Sequence, residues 1–301
     1  MLNRVRNWLR SHRRPIVTAS SVAVGVLVLR SLGALQWWEW AALDQLFRLR
    51  PPQLIHTHDD RLVVVGVDED DLRRYGWPVP DEILSQALRN IDAQQPRAIG
   101  LDIYRDLPAE PGGAELAATF EEVEEIIGIE RISSDPESRT DPPPVLDRLD
   151  RVGFNNTIID GDGRVRRGIL YARSSDGQPH NSFALALALR YLEEEEILPK
   201  PAPSGDLQLG KLVVPLFKPN DGPYVGADTQ GYQFFANFRG FGRELPKFSL
   251  SDIVEGNVSP DWARDRVVLI GATASSLKDF FPNPYSGSWW GAPREIPGVV
   301  L

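Results

Sequence analysis

Acidic side chains follow directly on two apolar runs of the sequence. The run LVVVGV passes into Asp68 and Glu69, and a second run, AIGL, ends at Asp102. Carboxylates at such positions can receive a cation or a polar solute, or they can cap the helix that follows. Asp102 interrupts a stretch that is otherwise apolar, where an unpaired carboxylate would be costly. Of these acids, Asp102 therefore most needs an explanation.

A third apolar run, VVLIGA, leads to Thr273 and then to Asp279. Continuous apolar runs are typical of strands buried on both faces of a parallel sheet. If the three runs are parallel strands, their carboxyl ends share the edge at which open α/β sheets bind ligands. We therefore expect a ligand site there. Trp77, in the loop that follows the first run, either covers this site as a lid or is a core residue. The predicted ligand-contacting residues are Asp68, Glu69, Trp77, Asp102, Thr273 and Asp279.

The sequence Asp160-Gly161-Asp162-Gly163 resembles the start of a calcium-binding loop. Arginines at 164 and 166 interrupt that pattern, so a hairpin turn is the favoured interpretation. If Arg166 and Arg167 lie on one strand, their side chains project to opposite faces, and one of them either pairs with an inward carboxylate or is solvated.

Other catalytic or metal-binding patterns are weak in this chain. His56 and His58 stand two residues apart in a linker-like stretch, which makes a poor metal site. We find no nucleophile elbow, no zinc-protease motif and no phosphate-binding loop. The sequence therefore predicts no catalytic residue, no cofactor and no metal, and indicates that the chain is not an enzyme.

The order of the elements predicts the fold class. Strand, helix, strand, helix and strand are followed by a hairpin, which is typical of an α/β domain with a mixed, partly parallel sheet and flanking helices. The segment DEILSQALRNID carries one apolar helical face, and Asp81 is predicted to be its N-cap.

The N-terminal region has the length and polarity of a membrane anchor. Ile16 to Leu35 are twenty residues with one charge, Arg30, whose side chain can reach an interface marked by Trp37, Trp38 and Trp40. Five arginines among the first fourteen residues predict a cytoplasmic N-terminus. A cleaved signal peptide is the alternative, but Ser31-Leu32-Gly33 is only a weak cleavage site, which favours the anchor.

These boundaries give the predicted domain organisation. Its parts are a basic cytoplasmic segment 1–15, a transmembrane helix 16–36, a juxtamembrane helix and linker 37–60, and an extracytoplasmic domain 61–301. The chain would be a single-pass protein of the inner membrane with its main domain in the periplasm.

Composition restricts the partners. The net charge is -9, and removal of the first fourteen residues leaves 28 basic and 42 acidic side chains, a net -14. Such a surface repels phosphate backbones, so nucleic acid is not an expected partner. Without cysteine the chain has no disulfide and no thiolate chemistry.

The pieces of the sequence, taken in order, resemble the second type of CHASE domain. That family comprises extracytoplasmic sensory domains of bacterial receptor cyclases, histidine kinases and serine/threonine kinases. The similarity covers nearly the whole chain after the apolar segment. The stretches that carry it are ALDQLFRLRPP, VVVGVDEDDL, GWPVP, PRAIGLDIYRD, GFNNTIIDGDGRVRR, SFALALAL, FSLSDIVEG, RVVLIGATASSLKD and IPGV.

The resemblance implies a membrane-anchored sensor that detects a small-molecule or protein stimulus and acts on a cytoplasmic effector such as a cyclase or a kinase. It assigns no catalytic residue and no ligand. Two departures are Gly112-Gly113, where the family has an acidic residue, and the end at Leu301, where further membrane spans would follow. We therefore expect either a truncated receptor or a separate effector, and a homodimer. The alternatives are an extracytoplasmic metal-dependent hydrolase and a structural dimerisation module.

Overall fold

The computed structural model describes residues 12–51, 59–174, 177–238, 240, 245–287 and 295–301. The predicted histidine pair, His56 and His58, lies outside these residues. The chain divides into two units. One comprises residues up to 46 together with 218–229, and the other comprises 47–217 and 230–301.

Among its described residues, the first unit contains two helices that follow one another. Helix α1, Arg13–Ser31, is long and apolar enough to span a membrane, and none of its residues is buried. A signal sequence would meet the same criteria of length and composition. The predicted span 16–36 is interrupted after Ser31 by a turn in which Gly33 has a positive φ of 75°. Helix α2, Gln36–Arg48, begins after this turn.

The second unit contains a six-stranded sheet in which every neighbouring pair is parallel. Its strand order is β12-β1-β13-β2-β3-β4. The central strands are apolar on both faces and almost wholly buried, as helices on both sides of a parallel sheet require. The strands are β1 Leu62–Val67, β2 Ala98–Asp102, β3 Ile126–Glu130, β4 Val152–Phe154, β12 Lys247–Ser249 and β13 Val267–Ala272.

The antiparallel pairing lies in small sheets outside the main one, and the predicted α/β class is confirmed. These sheets pair β5 with β11, β6 with β7, β8 and β10 with β9, and β14 with β15. Their bounds are β5 Arg167–Ile169, β6 Tyr171–Arg173, β7 Pro179–Asn181, β8 Pro199–Pro201, β9 Leu207–Leu209, β10 Leu212–Val214, β11 Gln233–Phe235, β14 Phe280–Phe281 and β15 Ile296–Pro297.

In the described part of the second unit, six helices connect these strands. Each has an apolar side that packs towards the sheet, as in α4, where Leu84, Leu88 and Ile91 are fully buried. The helices are α3 Glu69–Tyr75, α4 Asp81–Asp92, α5 Gly113–Glu122, α6 Pro144–Arg148, α7 Phe183–Glu193 and α8 Leu250–Glu255.

The predicted N-cap of α4 is wrong. The helix is preceded by Pro80, and Asp81 is its first residue rather than its cap. The Asp81 carboxylate is buried and accepts hydrogen bonds from the Ala109 amide at 3.0 Å and from Arg105 Nε at 2.9 Å. A buried carboxylate needs such donors, and here a loop from elsewhere in the chain supplies them.

Candidate functional site

The carboxyl ends of β1, β13 and β2 lie side by side, as the apolar runs predict. Gly66 of β1 pairs with Gly271 of β13, which pairs with Asp102 of β2. Adjacent strands stand about 4.8 Å apart, so residues in this register are neighbours across the sheet. This row of backbone forms the floor of the candidate site.

Asp102 is half-buried at this edge. Its Oδ1 accepts a hydrogen bond from Asn155 Nδ2 at 3.3 Å. The pKa of the Asp102 carboxyl is raised from 3.8 to about 6. Burial is the main cause, the hydrogen bond from Asn155 opposes it, and the negative charge of Asp279 adds to it. In the described part of the chain, no lysine or arginine forms an ion pair with Asp102.

Asp279 contributes the second carboxylate. Its side chain lies against Gly298, where a Cβ atom would collide with the carboxylate oxygens, and its backbone carbonyl accepts the Gly298 amide at 2.9 Å. Strand β14 directly follows Asp279 and strand β15 directly precedes Gly298, and the pairing of these two strands holds the segments together. Burial raises the pKa of Asp279 as well. The site therefore brings two partly desolvated acids together.

Two further residues that the sequence interpretation missed complete the arrangement. The Tyr104 hydroxyl donates to Asn155 Oδ1 at 2.7 Å, which leaves the Asn155 amide nitrogen to donate to Asp102. Arg105 holds the Tyr104 carbonyl at 2.8 Å and thereby fixes this loop. The available signal was positional, since Asn155 directly follows β4 and stands at the same sheet edge.

Asp68 and Glu69 have structural partners. Asp68 is the N-cap of α3, and its Oδ1 accepts the amides of Asp70 and Asp71 at 2.8 and 3.0 Å. Glu69 accepts the Ser276 amide at 2.9 Å, and this hydrogen bond lowers the pKa of Glu69. The charge that follows β1 therefore caps a helix and holds the loop after β13, which is the alternative role weighed from the sequence. A ligand contact by either residue stays a prediction.

Thr273 and Trp77 flank the site differently. The Thr273 side chain lies directly over Gly66, and its amide donates to the Val67 carbonyl at 3.0 Å, so it closes the end of the β1–β13 pair. Trp77 lies in the turn between α3 and α4 and is 44% exposed. Within the described ranges no ring contact or hydrogen bond joins it to Asp102 or Asp279, and its role as a lid stays a prediction.

The sequence Asp160-Gly161-Asp162-Gly163 forms the predicted hairpin turn, since Ile158 bridges to Arg167 in antiparallel fashion. Arg166 is fully buried and bonds to both aspartates, at 3.0 Å to Asp160 and 2.6 Å to Asp162. Arg167 bonds to Asp160 as well, at 2.8 Å. Both arginines therefore pair with an inward carboxylate, whereas the sequence predicted this for at most one of them. The cluster is an ion-pair network that locks the hairpin.

Comparison with known proteins identifies a family. A family model described as CHASE2 domain matches residues 21–301, which is nearly the whole chain. CHASE2 domains are extracellular sensory domains of signal-transduction receptors and are not catalytic. No curated protein and no solved structure is similar enough to the chain to count as a match.

Proposed function

This chain belongs to the CHASE2 domain family, and from that premise we propose that it is the membrane-anchored input domain of a bacterial receptor. The sensory unit stands in the periplasm or outside the cell, the N-terminus lies in the cytoplasm, and a cyclase or kinase in the cytoplasm receives the signal. The family match carries this proposal, because it begins within α1 and extends over the folded unit.

The properties of α1 support the anchoring role. A helix of 19 residues is about 28 Å long, close to the thickness of the hydrocarbon core of a bilayer. The arginine-rich segment before it favours retention on the cytoplasmic side. We therefore assign α1 to the inner membrane.

We propose that the ligand site is centred on Asp102 and Asp279, with Asn155 and Tyr104 as its hydrogen-bonding support. Two carboxylates that share a partly desolvated place favour a solute that brings positive charge or several N–H donors. Asp68, Glu69, Thr273 and Trp77 are proposed as the rim of the site. A cation, an amine or a cationic amino acid fits this chemistry.

The contacts of the turn Gly298–Val300 support a way in which ligand binding at the site changes the conformation of this turn. Val299 packs on Gly271, next to Asp102 in the sheet, and Asp279 lies against Gly298. A ligand that prefers one position of Asp279 would therefore also prefer one position of this turn. Such a ligand shifts the equilibrium between two arrangements by its differential affinity. The effector, which belongs either to the same polypeptide or to a separate partner, then responds to this conformational change.

The test is the melting temperature of the full chain in lipid nanodiscs against metal ions, polyamines, amino acids, sugars and nucleotides. A ligand at a hundred times its dissociation constant stabilises the folded state by about 2.7 kcal/mol. We expect a cationic compound to raise the melting temperature, and Asp102→Asn to abolish that rise. Asp141→Asn, at an exposed aspartate, is the matched control. A rise that survives Asp102→Asn would place the ligand elsewhere.

Neither alternative function gains a specific observation. A metal-dependent hydrolase needs several ligands that converge on one ion, and among the described residues no group of three or more histidine or acidic side chains does so. A structural dimerisation module predicts self-association that depends on concentration and no effect of any small molecule. The homodimer itself remains part of the proposal.

A further inference from the structure

Helix α2 buries acidic residues on one side and exposes apolar residues on another. Its acidic residues are turned inward, since Asp44 is 1% exposed and Glu39 is half-buried and paired with Arg30 at 2.7 Å between Nε and Oε1. Three of its large apolar residues, by contrast, are exposed: Trp37 is 64%, Trp38 77% and Leu46 65% exposed. A helix at a protein–water boundary shows the opposite distribution.

The exposed residues of α2 form one uninterrupted face. Trp38, Ala42 and Leu46 recur every four residues and therefore lie along one side of the helix. Trp37 and Ala41 lie beside them and are exposed as well. This face, which we call the α2 apolar face and define by these five residues, carries no charge.

The inner side of α2 is held by its own unit. Trp40 packs edge-on against Tyr224 with ring centroids 5.8 Å apart, and the Val225 amide donates to Gln36 Oε1 at 3.3 Å. Arg30 donates to the Gly222 carbonyl at 2.7 Å in addition to its pair with Glu39. The segment 218–229 therefore covers one side of the helix and leaves the α2 apolar face outward.

We propose that the α2 apolar face docks on the lipid–water interface and forms a second membrane contact beside α1. Two observations favour lipid over a second copy of the chain. Tryptophan is enriched at the boundary between headgroups and hydrocarbon, and two exposed tryptophans begin this face. The face also follows α1, an apolar helix without a buried residue, after a turn of only four residues, 32–35.

The pairing at the junction between the two helices agrees with this placement. The charge of Arg30 near the end of α1 is neutralised by Glu39 on α2, so the corner that would enter the headgroup region brings no unpaired ion. An uncharged apolar side with paired ions behind it is the distribution of a helix that lies in the plane of the interface. The inference extends the proposed function: it requires α1 in a membrane but no particular stimulus.

The absence of cysteine makes the test direct, because a single introduced cysteine carries the only spin label. Ala42→Cys and Leu46→Cys are labelled in the full chain and inserted in vesicles of phosphatidylethanolamine and phosphatidylglycerol. Power-saturation EPR then compares collisions with oxygen, which concentrates in lipid, and with a water-soluble nickel chelate. Val24→Cys on α1 reports lipid, and Leu212→Cys on an exposed strand reports water.

At both α2 positions we expect the ratio of oxygen to nickel-chelate collisions to be several-fold higher than at Leu212→Cys. We also expect both labels to lie less deep in the bilayer than the label at Val24→Cys. A water-like ratio at Ala42→Cys and Leu46→Cys would overturn the inference. Low collision rates with both reagents, together with spin–spin broadening that unlabelled protein removes, would overturn it in favour of a dimer contact. A water-like ratio at Val24→Cys as well would refute the anchor and hence the proposed topology itself.

Discussion

Asp279 raises the pKa of Asp102, although the two residues lie far apart in the sequence. Asp102 ends a central strand, whereas Asp279 follows the strand beside it after a short helical turn. Glycines at 271 and 298 leave the space that lets the last turn of the chain and Asp279 pack over this edge. The pair is the feature of the structure from which most of the following predictions derive.

The first prediction concerns Asp102→Asn and the pH dependence of stability. The pKa of Asp102 is about 6 in the folded chain against 3.8 in the unfolded chain, so between these values the folded state binds more protons. The contribution of this group to the free energy of unfolding is therefore largest at low pH and falls as the pH rises through 6. Asparagine keeps an oxygen for Asn155 and does not titrate.

As the pH rises from acidic to neutral, the free energy of unfolding of Asp102→Asn should increase relative to that of the wild type by up to about 3 kcal/mol. Urea unfolding of the full chain in detergent micelles at a series of pH values measures this difference. The exposed Asp141→Asn should follow the wild-type curve. Parallel curves for the wild type and Asp102→Asn would mean that the Asp102 carboxylate is well solvated.

The second prediction concerns Asp279→Asn, which removes a charge and keeps the size of the side chain. Without the negative charge of Asp279, the pKa of Asp102 should fall, because one of the causes that raise it is gone. The titration of the Asp102 carboxyl carbon, followed by NMR with selectively labelled aspartate, should move to lower pH. An unchanged midpoint would show that the two carboxylates do not interact.

The third prediction concerns Asp71, a buried residue that joins two helices. Its carboxylate accepts the Asp68 amide at 3.1 Å in the capping box of α3, and it accepts the amides of Leu250 and Ser251 at 3.1 and 2.9 Å at the start of α8. Asp71→Asn turns an N–H donor towards one of these amides. We expect a loss of about 2–4 kcal/mol in the free energy of unfolding.

Chemical denaturation at neutral pH measures this loss. Asp70→Asn is the matched control, because Asp70 is next to Asp71 in the sequence but its side chain is exposed and pairs with Arg73 on the surface. The control should change stability by less than about 1 kcal/mol. Equal effects of the two substitutions would contradict the bridging role of Asp71.

The fourth prediction concerns calcium. Arg166 and Arg167 form ion pairs with the carboxylates of Asp160 and Asp162, and Arg166 is fully buried. A calcium ion would have to displace these guanidinium groups, so neither calcium nor EDTA should change the melting temperature through this hairpin. A saturable rise with calcium, absent with magnesium at equal ionic strength and lost in Asp162→Asn, would contradict this assignment.

Much of the fold follows from the sequence alone. Unbroken apolar runs determine strands buried on both faces, the 3.6-residue period determines the helices between them, and the length and polarity of the N-terminal segment determine a candidate membrane helix. These signals are local, since each depends on residues a few positions apart. The placement of Asp102 at the end of a buried strand follows in the same way.

The tertiary structure decides which of the distant residues meet. Strand β13 lies between β1 and β2, Asn155 reaches Asp102, Asp279 lies against Gly298, and Asp71 caps a helix late in the chain. The apolar pattern of a strand is the same at any position within a buried sheet, so it does not encode strand order. The partners of each carboxylate depend on that order, which is why capping and ligand contact could not be separated from the sequence.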